Sequence, residues 1–312
     1  MPHATLHFFI RRRRVTLGRM ETTLNALKAL APEDFRVLNA VERGMAKFFY
    51  VPVEELGKIS GLGLEEVLAV LKKLHSLGLV RRWRGSYTGY ILTARGYDCL
   101  ALNALVKRGV LESVSASPTG RGKESDVYKG VTPAGRLVAV KFHRVGRTSF
   151  RQTRRLRAYV GDRRHISWLY QSRLAAKSEF EALKILFSAG VSVPEPVDWN
   201  RHVIVCEYIE GAELSEVPPL NDAASFRDQL VEEVRKAYRA GVVHGDLSEY
   251  NVLVAGDKPV LFDWPQWISS THPSALYYLR RDVENVLKFF KRKYGLDYDL
   301  QATLERLLST AT

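Results

Sequence analysis

Within one stretch of twenty-one residues the chain spaces a carboxylate, a carboxamide and a second carboxylate, at Asp246, Asn251 and Asp263. Val243-His244-Gly245-Asp246-Leu247-Ser248-Glu249-Tyr250-Asn251 comes first, and Asp263 follows twelve positions after Asn251. Val252-Leu253-Val254 and Val260-Leu261-Phe262 are short apolar runs separated by Ala255-Gly256-Asp257-Lys258-Pro259, which predicts a hairpin with Asp263 at its end. Such a hairpin brings Asn251 and Asp263 side by side, and amide and carboxylate oxygens suit magnesium, a hard cation. An Asx turn would account for the H-G-D and the asparagine taken alone. The flanking strands and the second carboxylate point instead to phosphoryl transfer, with Asp246 taking a hydroxyl proton and Asn251 and Asp263 holding metal.

Composition bounds what surrounds this set. With 312 residues and 46% hydrophobic content, the chain can bury a full core in one large or two modest domains. No apolar run is long enough to span a membrane, and the His7-Phe8-Phe9-Ile10 patch is too short to be a signal peptide. Cys99 and Cys206 both lie in apolar segments, which argues against a disulfide framework or a cysteine zinc site and for a reducing, cytoplasmic setting. The net charge of +13 favours polyanionic partners. It is concentrated: from Arg144 to Ser178, nine arginines (the last being Arg173) and Lys177 face one acid, Asp162. A solvated helix face would carry balancing acids, so this window is expected to meet phosphates.

Residues 20–110 read as a small helical unit: Thr23 to Leu30, Pro32 to Phe49, Val53 to Ser60, and Leu64 to Leu77 after the tight Gly61-Leu62-Gly63 turn. Leu64, Val67, Leu68, Leu71 and Leu74 recur at helical spacing, with Glu65, Glu66, Lys72 and Lys73 facing away. Val80 to Arg84 and Tyr90 to Leu92 then form a hairpin, and Thr93 caps a helix to Lys107; the order describes a winged helix-turn-helix. It could contact nucleic acid through the Leu64 helix and the wing residues Arg81, Arg82 and Arg84, or it could dock protein; the two glutamates opening the helix weaken base readout. Val110 to Pro118, rich in serine, reads as a linker. Residues 1–19, with Arg11 to Arg14, form a basic extension: either a disordered polyanion-binding arm, or a segment preceding a more natural start at Met20.

The nucleotide end lies between these regions. Pro118-Thr119-Gly120-Arg121-Gly122-Lys123-Glu124-Ser125 is a glycine-bearing turn where Gly120 and Gly122 let backbone amides approach phosphates and Ser125 adds a hydroxyl. Twenty-one residues after Gly120 comes Lys141, ending a Val138-Ala139-Val140 strand, from which a lysine reaches phosphates under the loop. There is no Walker A pattern, so Lys123 is not a P-loop lysine. The helix Gln171 to Ala189 offers Glu179 and Glu181 as partners for Lys141; Glu179 is chosen because Leu183 shares its face. Val203 to Cys206 forms a buried strand leading to Glu207-Tyr208-Ile209, where an adenine would meet backbone groups. After Asp263 there are 49 residues and no A-P-E, too few for an activation segment and a peptide-binding lobe. They are expected to form helices over Leu276 to Tyr294 and Leu300 to Leu308.

Taken together, these segments resemble the RIO family of atypical serine/threonine kinases, type two branch. Its G-x-G-K-E-S-x-V-Y pattern stands here as Gly120 to Tyr128, its V-K-F-H-x-x-G-x-T-S-F as Val140 to Phe150, its H-G-D-L-S-x-Y-N as His244 to Asn251, and its D-F-P-Q as Asp263-Trp264-Pro265-Gln266, with Trp264 in place of Phe. The resemblance covers about residues 20–310 and implies an α+β, two-lobed kinase-like domain over 111–312, with lobes of about 111–206 and 207–312, after the winged helix of 20–110. It implies ATP and magnesium as cofactors and catalytic roles for Lys141, Asp246 and Asp263. Gly120, Gly122, Lys123, Ser125, Lys141, Glu179, Glu207 and Ile209 would bind nucleotide, and Asn251 and Asp263 metal. Asp263 would also be a transient phosphate acceptor. The implied role is a switch in small ribosomal subunit maturation, meeting the pre-subunit and its rRNA through the Arg144–Arg173 loop and the winged helix, in a chain of archaeal type. The alternatives are an RNA-binding assembly factor with a nucleotide-sensing pocket and little kinase activity, and a DNA-binding regulator.

Overall fold

The computed structural model describes residues 19–122, 124–145 and 168–309. Its N-terminal part runs α1 (Arg19–Lys28), α2 (Pro32–Gly44), β1 (Val51–Pro52), α3 (Val53–Ser60), α4 (Leu64–Ser76), β2 (Val80–Arg84), β3 (Thr88–Leu92) and α5 (Ala94–Lys107). The strands form an antiparallel sheet in the order β1-β3-β2, the wing of a winged helix. Pro32 sits in the first turn of α2, and Asp34 reaches back to accept the Ala31 N–H at 2.7 Å. The helix stops at Gly44 rather than at Phe49. There the chain turns so that Val51 packs where a Cβ on Gly44 would sit, 2.4 Å away. Helix α4 buries Val67, Leu71 and Leu74, but Leu64 and Leu68 stay about half exposed, so the apolar stripe is wider than the core that covers it.

The following strands are β4 (Ser113–Arg121), β5 (Ser125–Val131), β6 (Leu137–His143), β7 (Pro196–Asn200) and β8 (Val203–Glu207), an antiparallel sheet ordered β4-β5-β6-β8-β7 with α6 (Trp168–Ser188) packed against it. The expected linker at Val110 to Pro118 is therefore mostly strand. β4 lies at the sheet edge and shifts register on both sides of Pro118, which is where proline and small polar residues are tolerated in a strand. The C-terminal part comprises β9 (Ala212–Glu213), α7 (Ala223–Arg239), β10 (Val242–Val243), the β11 (Val252–Ala255) and β12 (Lys258–Leu261) hairpin, β13 (Ile268–Ser269), α8 (Ala275–Tyr294) and α9 (Leu300–Leu308). Its core joins Leu230, Val231 and Val234 of α7 to Val283, Val286 and Phe290 of α8 around Leu261 and Trp264.

Helix α5 welds the winged helix to the sheet. Cys99 and Leu100 enter the winged-helix core, while Ala101, Leu102 and Leu105 share a second core with Met20, Tyr128, Val138, Phe142 and Val205. Burial of each such side chain contributes roughly 1.5–3 kcal/mol. The same interface holds a buried ion cluster. Arg144 donates from Nη1 and Nη2 to the two oxygens of Asp98 on α5, at 2.6 and 3.0 Å, and from Nε to Asp126 on β5 at 3.3 Å, while His202 Nε2 lies 2.8 Å from Asp98. Burial pushes the Asp98 carboxyl up, but Arg144 and His202 outweigh it and hold the group well below the usual range. Arg144, counted from sequence among the phosphate-facing arginines, is thus only 3% exposed and belongs to the interface. Arg147 through Arg164 lie outside the described residues. Arg173 is exposed on α6.

Candidate active site

On β6, Val138, Val140 and Phe142 point into the core, so the alternation of a strand sends Lys141 and His143 to the opposite face, under α6. Lys141 Nζ lies 2.7 and 2.8 Å from the two oxygens of Glu179 and 2.5 Å from Asp263 Oδ1. Glu179 is 3% exposed and shares its helix face with buried Ala182, Leu183 and Leu186. Glu181 points outward and pairs with Lys177 instead. Burial raises the Glu179 carboxyl, yet Lys141 and His143, whose Nε2 lies 3.0 Å away, overcome this and lower it to about 2. Burial opposes charge on Lys141 as well, but Asp263 and Glu179 keep its ammonium protonated well above the ordinary range. The result is a fixed cation between two carboxylates, one of which, Asp263, has a side chain 40% exposed.

Asp263 has φ +67°, a left-handed conformation that aspartate adopts more readily than most residues. It follows the β11–β12 hairpin, where Val252 pairs with Leu261 and the Phe262 N–H donates to Asn251 O at 3.1 Å. Asn251 and Asp263 therefore flank the same end of the hairpin. Asn251 is 9% exposed, with its Oδ1 3.5 Å from Ser248 Oγ. Among the described residues no group of three or more His, Cys, Asp or Glu could hold a metal ion. An asparagine and a part-exposed aspartate fit magnesium, which commonly takes one or two protein carboxylates and fills its octahedron with phosphate and water.

Asp246 is exposed at the mouth of a loop fastened from below. Asp282 of α8 accepts the Gly245 and Leu247 N–H groups at 2.7 and 3.1 Å, Asn285 donates to Leu247 O at 3.1 Å, and Arg281 donates to Gly245 O. Gly245 has φ +78°, and a Cβ there would lie 2.9 Å from Gln266 O, so the loop needs glycine at this point. Burial pushes the Asp282 carboxyl up to about 7 despite those two N–H bonds. His244 is lowered to about 4 by burial, which leaves it neutral, and its Nε2 bonds Phe262 O at 3.1 Å while its ring lies 4.4 Å from that of Trp264. Trp264 is 1% exposed. Trp267 donates from Nε1 to Ser178 O at 2.8 Å, tying the segment after Asp263 to the turn of α6 that carries Glu179. Sequence reading missed Asp282, Asn285 and Trp267. For Asp282 a signal existed: it lies on the same face as Leu279, Val283 and Val286, an acid in an apolar stripe.

Of the nucleotide-facing residues, Gly120 lies in β4 and Gly122 donates its N–H to Ser125 O at 2.9 Å, closing the β4–β5 turn; Lys123 lies outside the described residues. Open space surrounds Gly120, where a Cβ would meet only Val127 at 3.9 Å. Glu207 ends β8 with its N–H bonded to Glu195 O at 2.8 Å, and Ile209 follows, half-buried. A separate cleft of about 1050 Å³, lined by Tyr97, Arg108, Arg173 and Arg201, opens between the winged helix and the sheet and contains none of these groups.

A family model described as RIO domain matches residues 126–303, and one described as Rio2, N-terminal matches residues 27–108. The Rio2 serine/threonine-protein kinase of Methanocaldococcus jannaschii is 44% identical over 255 residues, 80% of this chain and 92% of that protein. The chain belongs to the RIO2 kinase family. The RIO2 kinase of Caenorhabditis elegans is 43% identical over 286 residues, covering 91% of this chain and 53% of its own. A crystal structure of the Rio2 kinase-ADP/Mg2+-phosphoaspartate complex from Chaetomium thermophilum superposes with TM-score 0.78 at 34% identity, covering 89% of this chain and 87% of that one. The RIO2 fold thus accounts for the winged helix, the five-stranded sheet and the helical C-terminal part together. No described helix is long and apolar enough to cross a membrane.

Proposed function

We propose that this chain is an ATP- and magnesium-dependent atypical serine/threonine kinase and ATPase that acts in the cytoplasm as a switch in small ribosomal subunit maturation. The observation that carries the reading is Lys141 bridging Glu179 and Asp263, with the asparagine and aspartate of the hairpin beside it. Lys141 would neutralise phosphate oxygens, and Asp246 would accept the proton of an attacking hydroxyl or orient an attacking water. Magnesium, held by Asn251 and Asp263, would supply charge neutralisation on the phosphates. Asp263 would also act as an acceptor: its carboxylate would bond to the γ-phosphorus as the phosphoanhydride breaks and ADP leaves, and water would later return the carboxylate with release of phosphate. That the Chaetomium thermophilum relative was crystallised as an ADP/Mg2+-phosphoaspartate complex supports this step. The pre-subunit and its rRNA would be met by the basic segment that follows Val145 and by the winged helix.

The test is turnover and labelling of the full chain with γ-labelled ATP and magnesium. The wild type should carry hydroxylamine-labile phosphate, Asp263→Asn should carry none, and Asp246→Ala should slow hydrolysis by about 10²–10⁴-fold. Wild-type turnover in Asp246→Ala overturns the reading.

A further inference from the structure

The wing carries an aromatic array that the phosphoryl-transfer site does not use. Phe49 meets Tyr50 edge-on with centroids 5.1 Å apart, Tyr50 stacks on Trp83 at 5.8 Å, and Trp83 meets Tyr87 edge-on at 5.0 Å. The array faces solvent, with Phe49 74% and Tyr87 39% exposed. Two glycines give it its seats. A Cβ on Gly85 would lie 2.1 Å from the Trp83 ring, and one on Gly89 would lie 2.8 Å from the Tyr87 ring and 2.9 Å from Tyr50. Tyr87 fixes the arrangement further by donating its hydroxyl to Tyr50 O at 3.0 Å. These rings are held in place rather than collapsed into the core, and an exposed aromatic surface of this kind marks an interaction site.

Charge identifies the partner. Arg81, Arg82 and Arg84 are exposed on the strand that carries Trp83, and none pairs with a carboxylate among the described residues. Helix α4, the element that would enter a duplex groove, instead presents exposed Glu65 and Glu66 in its first turn, which repel a phosphate backbone. Arg81 shares the Trp83 face of β2, while Arg82 and Arg84 alternate to the other face of this edge strand, so guanidinium groups flank the rings on both sides. Such a surface suits an unpaired strand, whose bases offer π-faces for stacking and whose phosphates meet the arginines. We propose that the wing is a stacking platform for an unpaired, single-stranded stretch of RNA, read by Phe49, Trp83 and Tyr87 and anchored by Arg81, Arg82 and Arg84. This rests on the RNA-contact reading above and narrows it from helix and wing together to the wing, and from RNA in general to a single strand.

The experiment is fluorescence anisotropy of the full chain with a labelled short single-stranded RNA and with the same sequence paired into a duplex, across a salt series. The wild type should prefer the single strand. Phe49→Ala with Tyr87→Ala should lose about tenfold or more of that affinity, while Phe49→Tyr retains it. Arg81→Gln, Arg82→Gln and Arg84→Gln together should lower the salt slope by about 2. Phe49, Tyr87 and the three arginines are exposed, so thermal midpoints should move little, and tryptophan quenching by the strand should weaken in Trp83→Phe. Single-strand affinity that survives the double alanine change overturns this inference and leaves RNA contact elsewhere on the chain intact. A preference for duplex overturns it, as does loss of a protein partner with RNA affinity unaltered. Absence of RNA affinity in the wild type overturns both readings.

Discussion

Lys141 and Arg144 are three residues apart, both buried, and each is gripped by two carboxylates from distant parts of the chain, yet the two clusters are built for different ends. Around Arg144 everything is sealed: its own side chain is 3% exposed, Asp98 0% and Asp126 2%. Around Lys141 one side stays open, because the Asp263 side chain is 40% exposed and sits on a residue held in the left-handed region. A closed cluster can only fix how α5, β5 and the end of β6 meet. An open one leaves a carboxylate and a cation within reach of solvent, as the proposed exchange for phosphate and metal requires. Burial of the whole set, rather than of the central cation, separates architecture from chemistry.

The sharpest way to break this contrast is Arg144→Ala. It takes the shared guanidinium from Asp98 and Asp126 in a sealed interface, and removing one partner of a buried ionic set costs about 3–5 kcal/mol, to be read as a shift in the urea midpoint. Turnover per folded molecule should stay near wild type. A stability loss within the about 1 kcal/mol of a surface pair would show that water reaches the cluster. Lys141→Ala should do the reverse. ATP turnover should fall about 10²–10³-fold, as when a preorganised charge is removed from a phosphoryl-transfer site, with a smaller loss of stability because Asp263 can hydrate and buried Glu179 keeps His143 Nε2 at 3.0 Å. Equal stability losses in the two variants would erase the distinction.

The two clusters also differ in how far they could be read from sequence. Lys141, Asp246, Asn251 and Asp263 sit in short segments whose spacing states their relation, and Glu179 follows from helical phase once Leu183 is taken as core. The winged helix was legible for the same reason, since its helices and hairpin are local and periodic. Arg144 was not, because its partners lie 18 and 46 positions away and Asp98 hides in the apolar Tyr97 to Leu102 run of α5. In composition it joined the arginines after it, although the strand before it had already carried it inside. β4 was misread as a linker because edge strands accept the serine and proline that signal loops elsewhere. Asp282 and Trp267 act through backbone groups far along the chain, a relation that no spacing rule reaches.

The most gradual expected effect, spread over several pH units, concerns Asp282, which stands between the two kinds of cluster: sealed like Arg144, yet fastened to the loop of Asp246. Burial raises its carboxyl from 3.8 to about 7. A carboxyl raised in the folded state contributes stability that is fully present below 3.8 and is lost as pH rises through about 7. Against Asp282→Asn, which does not titrate, the wild type should therefore lose stability by at most about 1.4 kcal/mol per pH unit across that window, measured by urea denaturation at a series of pH values. The loop needs the opposite. Both oxygens of Asp282 accept N–H groups, from Gly245 and Leu247, so the ionised form is the one that holds Asp246 in place. An asparagine can accept only one of those bonds and turns its amide against the other, so Asp282→Asn should turn over ATP more slowly at neutral pH. Wild-type turnover should rise with pH through the same window in which wild-type stability falls. Parallel pH–stability curves for the two proteins would mean that Asp282 is ionised throughout and that its two N–H bonds, rather than its burial, set its charge.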